Sequence, residues 1–390
     1  MFFVDEPYVS KFFKKTVRDN AIPVVGTEIA KTLNIYPGTK LISEEEAVEI
    51  ARTVDIPAIY TTSENAIGWI AKHLAFSALP GKIDLFKDKL KFRELTKSIF
   101  PGFSFKGVRT EDLEKINFNE LPLPFIIKPT VGFFSMGVYK VSSFNEWEGT
   151  VDALHAEMDQ IKDLYPEEVL NTHSIIIEQL INGEEYAFDA YFNSTGEPVV
   201  LSILKHVFSS DTDVSDRVYI SSKEIIESNL DEFTEFARKI GVLANVKNFP
   251  VHIELRRDKN GVLLPIEINP MRFGGWCTTA DLSFLAYGLN PYLYYYSQKK
   301  PDWPDILKGK ERKLFSIIVL DNSTDIDTGK ITSFNYEKLL SQFEKPMELR
   351  KVDHKTYPLF GFVFAETRAD NYIELENILH SDLAGFVSTQ

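Results

Sequence analysis

The chain has 390 residues, and at about 150 residues per domain that length predicts two or three domains. Apolar residues make up 44% and charged ones 26%, ordinary globular usage that excludes a disordered or collagen-like chain. Lys and Arg total 43 against 57 Asp and Glu, and the net charge of −14 argues against a duplex nucleic-acid binder.

Cys277 is the one cysteine, which rules out an intrachain disulfide framework and a Cys-rich zinc site. No apolar run reaches the roughly 18 residues that would span a bilayer. The start, Met1-Phe2-Phe3-Val4-Asp5-Glu6, turns acidic before a signal-peptide core can form. The expectation is a soluble, cytoplasmic, multidomain protein.

Residues 1–86 alternate strand-like and helix-like signals. Phe2, Phe3 and Val4 form a short apolar run, and Phe12, Phe13 and Val17 recur at helical spacing over 9–20. Ile22-Pro23-Val24-Val25-Gly26 reads as a strand closed by glycine. Ser43-Glu44-Glu45-Glu46 is a capping box, and its acids suit the positive end of a helix running to about Arg52. A strand over 56–60 and a helix over 64–76 continue the alternation, which predicts a small parallel sheet.

Pro80-Gly81 reads as punctuation. A charged amphipathic helix is expected over 87–99, a strand over 124–128, a loop over 129–137 and a strand over 138–141. A long helix over about 144–164 leads to a strand at 174–179. Further strands are expected over 185–191, 199–207 and 250–256. Asp258-Lys259-Asn260-Gly261 is a turn signal, so 250–256 and 262–268 should pair as an antiparallel hairpin. Helices are expected over 278–287 and 291–298, and 299–304 reads as a linker. Strands at 314–320 and 360–364 and a helix at 371–379 follow. These signals divide the chain into an N-terminal α/β domain over 1–86, a central unit over 87–300 and a C-terminal α+β extension over 301–390.

Familiar nucleotide motifs fail. Gly132-Phe133-Phe134-Ser135-Met136-Gly137 has the glycine spacing of a P-loop, but Val138-Tyr139 stands where Lys and Ser or Thr are needed. No GxGxxG follows a strand, and HExxH, GxSxG and calcium-loop patterns do not occur.

Three clusters remain. Lys128-Pro129 ends a strand beside a small-residue loop, where a lysine and backbone N–H groups can hold a phosphate. Alone, a surface lysine before a proline turn is the commoner explanation. Next comes Ile177-Glu178-Gln179-Leu180-Ile181-Asn182-Gly183-Glu184-Glu185, an apolar strand running into a connection that can offer backbone groups to an adenine edge and a carboxylate to a ribose. The plainer reading is a strand, a turn and exposed acids. Third, His252-Ile253-Glu254 and Glu267-Ile268-Asn269-Pro270 lie on the two strands of the expected hairpin. Period two puts Glu267 and Asn269 on one face, and cross-strand pairing can bring Glu254 beside them. Two carboxylates and an amide oxygen among Ile253, Leu255, Ile266 and Ile268 suit Mg²⁺ carrying ATP phosphates. Acids on an otherwise apolar hairpin are costly to bury without a cation. Arg272 follows at once and could clamp a carboxylate or a transferring phosphoryl group.

In this order the clusters resemble the ATP-grasp superfamily, over about residues 85–298. The resemblance implies an ATP-grasp fold, an α/β class in which two α+β subdomains grip ATP, preceded by a small parallel α/β domain. The lid subdomain would span about 100–180 and the core subdomain about 181–300. It implies that Lys89, after Asp88, and Lys128 contact ATP phosphates. Glu178, Gln179, Leu180 and Ile181 would form the adenine hinge, and Glu185 would hold the ribose. Glu254, Glu267 and Asn269 would hold Mg²⁺, with Mn²⁺ as a substitute, and Arg272 with Lys128 would serve catalysis. The loop departs from the family in carrying Phe133 and Phe134 with only Gly132 and Gly137.

The implied function is an ATP-dependent ligase that activates a carboxylate as an acyl-phosphate and joins it to an amine. A phosphotransferase on the same fold and a non-catalytic nucleotide-binding regulatory protein are the alternatives. The implied partners are small-molecule carboxylate and amine substrates, with no nucleic acid and no membrane, and a homodimer left open. Lys205 and His206 are candidate substrate contacts, with a core or surface role the plainer reading. Residues 60–65 are a candidate wall of the pocket.

Overall fold

A computed structural model describes residues 1–54, 56–132, 137–161, 173–210, 213, 215–324 and 326–389. The expected loop residues Phe133 and Phe134, and the far end of the helix expected to reach Leu164, lie outside them.

The N-terminal region is a small parallel sheet, in the order Leu41–Ile42, Val24–Val25, Phe2–Phe3, Tyr60–Thr61. Two of its helices start on serine caps, that of Ser43 being the one expected. Ser10 accepts from the N–H of Phe13 at 3.0 Å, and Ser43 from that of Glu46 at 3.1 Å. The strand expected over 56–60 is only Tyr60–Thr61. Pro80 does not punctuate: it lies in the first turn of the helix Leu79–Lys87, where its missing N–H costs nothing.

The second helix of the pair, Lys89–Thr96, is capped by Asp88, whose carboxylate accepts from the N–H groups of Leu90 and Lys91. A four-stranded antiparallel sheet follows, in the order Phe105–Arg109, Ser174–Gln179, Phe125–Pro129, Tyr139–Val141. The helix Phe144–Ile161 covers it through Trp147, Val151, Leu154 and Met158, which pack on Phe125, Ile127, Ile175 and Ile177 as a separate apolar core.

The largest sheet runs Leu263–Pro270, Phe249–Arg257, Glu184–Phe192, Leu204–Val207, Val218–Ser222, Lys313–Asp321, Leu359–Arg368, Pro346–Lys351. The strand expected over 199–207 is two, Pro198–Val200 and Leu204–Val207, and between them the Ser202 hydroxyl accepts from the N–H of Asp189 in place of a backbone carbonyl. The hairpin forms as expected, with Glu254 opposite Glu267 and His252 opposite Asn269. A bulge then lets Leu255 face Pro265 and leaves Ile266 out of register.

Chain beyond 300 joins this sheet instead of standing apart. The segment expected as a linker is anchored by Trp303, which begins the helix Trp303–Ile306, is 3% exposed, and donates from Nε1 to the carbonyl of Val200.

Aromatic packing welds the N-terminal sheet to this body. Phe2, Phe13 and Tyr60 meet Tyr292 and Tyr295 of the helix Pro291–Tyr296, with ring centroids 4.9–6.4 Å apart. Thr61 N–H also donates to the carbonyl of Met271 at 2.8 Å. The end of the hairpin and the N-terminal sheet are thereby held side by side.

Candidate functional site

The alternation of the hairpin puts its polar side chains on one face and Ile253, Leu255 and Ile268 in the core behind it. That polar face carries His252 and Glu254 on one strand and Glu267 and Asn269 on the other. Asn269 Nδ2 donates to Glu267 Oε1 at 2.9 Å, which turns the amide oxygen away from that bond. Burial first, and then the charge of Glu267, push the carboxyl of Glu254 above its usual range. Burial works the same way on Glu267, but Lys89, 3.7 Å from it, the hydrogen bond from Asn269 and the charge of Lys128 together outweigh burial and hold it low. Two facing acids that resist joint ionisation could hold a hard divalent cation.

The neighbouring strand fixes His252. Asp189, fully buried, accepts from His252 Nδ1 at 2.8 Å, from Gly274 N–H at 2.9 Å and from Thr279 Oγ1 at 2.5 Å. Burial opposes charge on the imidazole, but the hydrogen bonds to Asp189 and Glu254 prevail and raise it to about 9. Asp189 thereby ties the metal-type face to the segment that bears Arg272.

Lys89 also donates to the carbonyl of Gly132 at 3.4 Å, and its backbone N–H donates to Thr130 at 2.7 Å. The helix start therefore leans on the loop that follows Lys128. Lys128 itself is engaged. Its Nζ lies 2.6 Å from Glu178 Oε1, and both side chains are buried. Glu178 Oε2 accepts from Arg93 Nε at 2.6 Å. Burial pushes this carboxyl up, but Lys128 and Arg93 outweigh it and hold it at about 2. The side chain of Glu178 therefore points into an ion-pair cluster, and its backbone is taken up in the sheet between Phe105 and Ile126, so neither stands open for the hinge role that the family pattern implies.

Arg93 was not singled out by sequence reasoning. Besides Glu178 it donates from Nη1 to the carbonyl of Pro265 at 2.7 Å and from Nη2 to that of Ile266 at 3.3 Å. One guanidinium thus ties the bulge just before Glu267 to the strand Ser174–Gln179, and stacks over Phe103. The available signal was its position four residues after Lys89 on one helix.

Gln179 is tied through Oε1 to the N–H of Ser104 at 2.8 Å. Gln179, Leu180, Ile181 and Gly183 line a cleft of about 530 Å³, closed on the other side by Arg257, Lys259 and Leu264. Gly183 sits at φ 136°, and a Cβ there would collide with the carbonyl of Arg257, so the turn can close only with glycine. Glu185 lies on the same sheet face as Glu254, two residues along, but its carboxylate is held by His206 at 2.9 Å and by Arg256 at 2.7–2.8 Å. His206 is buried between Glu185, the carbonyl of Ser215 and the ring of Tyr219. Lys205 points outward to Glu184 at 2.5 Å. These contacts give both residues of that pair structural partners.

Arg272 follows Met271, whose φ of 68° turns the chain sharply at the strand end. Its Nε and Nη2 donate to Glu64 Oε1 at 3.0 and 2.7 Å, and its Nη1 to the carbonyl of Phe273. Lys87 pairs with the other oxygen of Glu64. The 60–65 segment therefore reaches the site through Glu64, which the sequence did not single out, nor Lys87.

Residues 121–280 match the family model described as an ATP-grasp domain. Among solved structures, an L-amino acid ligase from Bacillus licheniformis superposes with a TM-score of 0.69 at 19% identity, covering 100% of this chain and 98% of that one. N5-carboxyaminoimidazole synthase from Aspergillus clavatus, in complex with ADP and 5-aminoimidazole ribonucleotide, gives 0.64 at 13% identity, with 99% and 98% covered. A biotin carboxylase complex from Campylobacter jejuni gives 0.62 at 14%, with 94% and 87% covered. No curated protein sequence is significantly similar to this one. Among the described residues, no helix is long and apolar enough to cross a membrane. Residues 121–280 match an ATP-grasp domain, and the chain has the ATP-grasp fold.

Proposed function

We propose that this chain is an ATP- and Mg²⁺-dependent ligase that activates a carboxylate as an acyl-phosphate and joins it to an amine. The observation that carries the reading is the hairpin face. Glu254 and Glu267 oppose each other, Asn269 stands beside them, and Lys89 lies 3.7 Å from Glu267. The donor set fits Mg²⁺, because two partly buried acids that face each other, with Glu267 pushing Glu254 toward protonation, are relieved by a hard cation. Glu254, Glu267 and Asn269 would hold it, and when bound it would neutralise phosphate oxygens as negative charge moves between them.

The other roles follow from position. The hinge cleft beside Leu180 and Ile181 would take the adenine, with Glu185 toward the ribose. Lys89 and Lys128 would hold the phosphates as point charges. Arg272 would orient the substrate carboxylate. An oxygen of that carboxylate attacks the γ-phosphorus, and the bond to the ADP oxygen breaks. The amine then attacks the acyl carbon, sheds a proton, and inorganic phosphate leaves. None of this needs a side-chain nucleophile, so catalysis would be positioning and charge stabilisation. A fold shared with an L-amino acid ligase supports the reaction class.

Hydroxylamine tests it. With the right carboxylate, ATP and Mg²⁺, ADP and a hydroxamate should appear together. ADP with a stable phosphoester would instead mark a phosphotransferase, and neither product a non-catalytic nucleotide binder.

A further inference from the structure

The chain between the hairpin and the next helix is bent against its own side chains. Met271, Trp276 and Cys277 have φ of 68°, 56° and 58°, the left-handed region that residues with a Cβ seldom adopt. Two of the three are consecutive and lead straight into the helix Thr278–Tyr287. Arg272 lies inside this strained segment. Bulky residues stay in that region only where their surroundings over-determine it, and such strain gathers at functional sites.

Three distant elements hold it. Its start is fixed by the N–H of Thr61 on the Met271 carbonyl, and its middle by Asp189, which accepts from Gly274 N–H. Its end is held from the C-terminal extension. Arg350, on the strand Pro346–Lys351, donates from Nη1 to the carbonyl of Trp276 at 2.6 Å and from Nη2 to Asp281 Oδ2 at 2.5 Å. One planar guanidinium thus grips both the left-handed pair and the first turn of the helix after it. The rings of Tyr8 and Phe364, 4.5 and 5.0 Å away, pack on that guanidinium. Asp281 balances its charge, and Glu348, 3.4 Å from the same nitrogen, is half-exposed. Arg350 Nε is buried and has no hydrogen-bond partner among the described residues, a cost that the other two nitrogens must outweigh.

From Asp281 the contacts run on to Arg272. Thr279, on the same helical turn, donates to Asp189 Oδ2 at 2.5 Å and accepts from Gly274 N–H at 2.9 Å. The approach is close, because a Cβ at Gly274 would collide with the Thr279 side chain. Gly274 stands two residues after Arg272. A shift of the helix start therefore moves the anchor from which the Arg272 backbone hangs.

On the ligase reading above, we infer that Arg350 is a positioning residue. It holds the left-handed pair Trp276–Cys277 and, through Thr279, sets the place of Arg272 at the substrate carboxylate. The C-terminal extension thereby takes part in the site without touching substrate.

Arg350→Lys tests this, since lysine keeps the charge beside Asp281 but cannot reach both acceptors in one plane. Cys277, the one cysteine in the chain and 1% exposed, reports on the turn directly. Burial pushes its thiol up to about 11, so in wild type it should react slowly with an aromatic disulfide reagent. In Arg350→Lys that rate should rise by about tenfold or more. With the carboxylate that gives a hydroxamate in wild type, the carboxylate KM should rise about tenfold while the KM for ATP stays within about twofold. Glycine adopts the left-handed region freely, so adding Cys277→Gly should bring the carboxylate KM back toward wild type. An unchanged thiol rate, equal rises in both KM values, or no recovery with glycine overturns the inference. If Arg350→Lys does not fold, adding Cys277→Gly should restore folding, and a double variant that stays unfolded overturns it as well. Failure of the ligase reading looks different: wild type gives no hydroxamate, but the thiol of Arg350→Lys is still released.

Discussion

Glu254 and Glu267 are direct cross-strand partners, and that opposition makes the hairpin face unstable as an anion pair. Like charges placed opposite each other on a sheet destabilise it, and burial worsens the cost. The two carboxyls diverge in response. Glu254 is pushed up by burial and by Glu267, while Lys89, Asn269 and Lys128 together hold Glu267 down against its own burial. A divalent cation removes the conflict, so metal binding and stability should be coupled at this face.

Glu267→Gln keeps volume and removes the charge. We expect activity to fall by about 100-fold or more and not to recover at high Mg²⁺. The metal-free protein should be slightly less stable than wild type, because relief of the opposition with Glu254 is offset by the loss of the carboxylate that pairs with Lys89. Steady-state rates across a Mg²⁺ series, with thermal unfolding in chelator, check both halves. Full activity would make the hairpin acids structural.

Arg93→Ala should damage the fold more than its place on a short helix suggests. It removes the bond to Glu178 and the donors to the Pro265 and Ile266 carbonyls, all inside the protein. Breaking a buried pair from one side costs about 3–5 kcal/mol. Chemical denaturation measures this, and a loss below about 1 kcal/mol would show that water replaces the guanidinium.

Acid should weaken the protein through Glu64 and Glu178. Both carboxyls are depressed in the folded chain, from a usual value of 4.5 to about 2. A depressed acid contributes its stability above the unfolded value and loses it as pH falls through the folded one. Stability should therefore decline between pH 4.5 and 2, and Glu178→Gln should flatten that decline. Denaturant midpoints taken across that range are the measurement, and an unchanged slope in Glu178→Gln would remove Glu178 from the account.

What the sequence made legible was local. Period two placed Glu267 and Asn269 together, and the Asp258-Lys259-Asn260-Gly261 turn allowed Glu254 to be set beside them. Ser43 and its following acids marked a helix start by the same near-neighbour logic. The partners of Arg93 could not be read that way, since they lie 85, 172 and 173 residues off in sequence. Glu64 is 208 residues from Arg272 and sits in a segment whose local pattern says only strand end and helix start. Pro80 misled for a related reason, because a proline that breaks a helix and one that opens it look alike without the following turn. Ion pairs between distant segments leave no periodicity, and these are what hold the lysines and Arg272 in place.

Lys128 shows where that limit changes an expectation. A lysine at a strand end beside a loop should be a surface group, so Lys128→Ala should lower ATP affinity and leave the fold intact. The side chain is instead 8% exposed and paired at 2.6 Å with Glu178, itself held by Arg93. Its removal leaves Glu178 one charged partner in place of two, which should cost about 2 kcal/mol of stability. ATP affinity should still drop by about tenfold, because Arg93 is spent on the bulge carbonyls and cannot supply the missing charge to a phosphate. The double variant Lys128→Ala with Glu178→Ala separates the two effects. It removes the stranded carboxylate along with the lysine, so stability should recover in part while nucleotide binding stays weak. Thermal unfolding and calorimetric titration with ATP and Mg²⁺ on the same samples decide it. If nucleotide affinity recovers together with stability, Lys128 acts only through the fold and has no place at the phosphates.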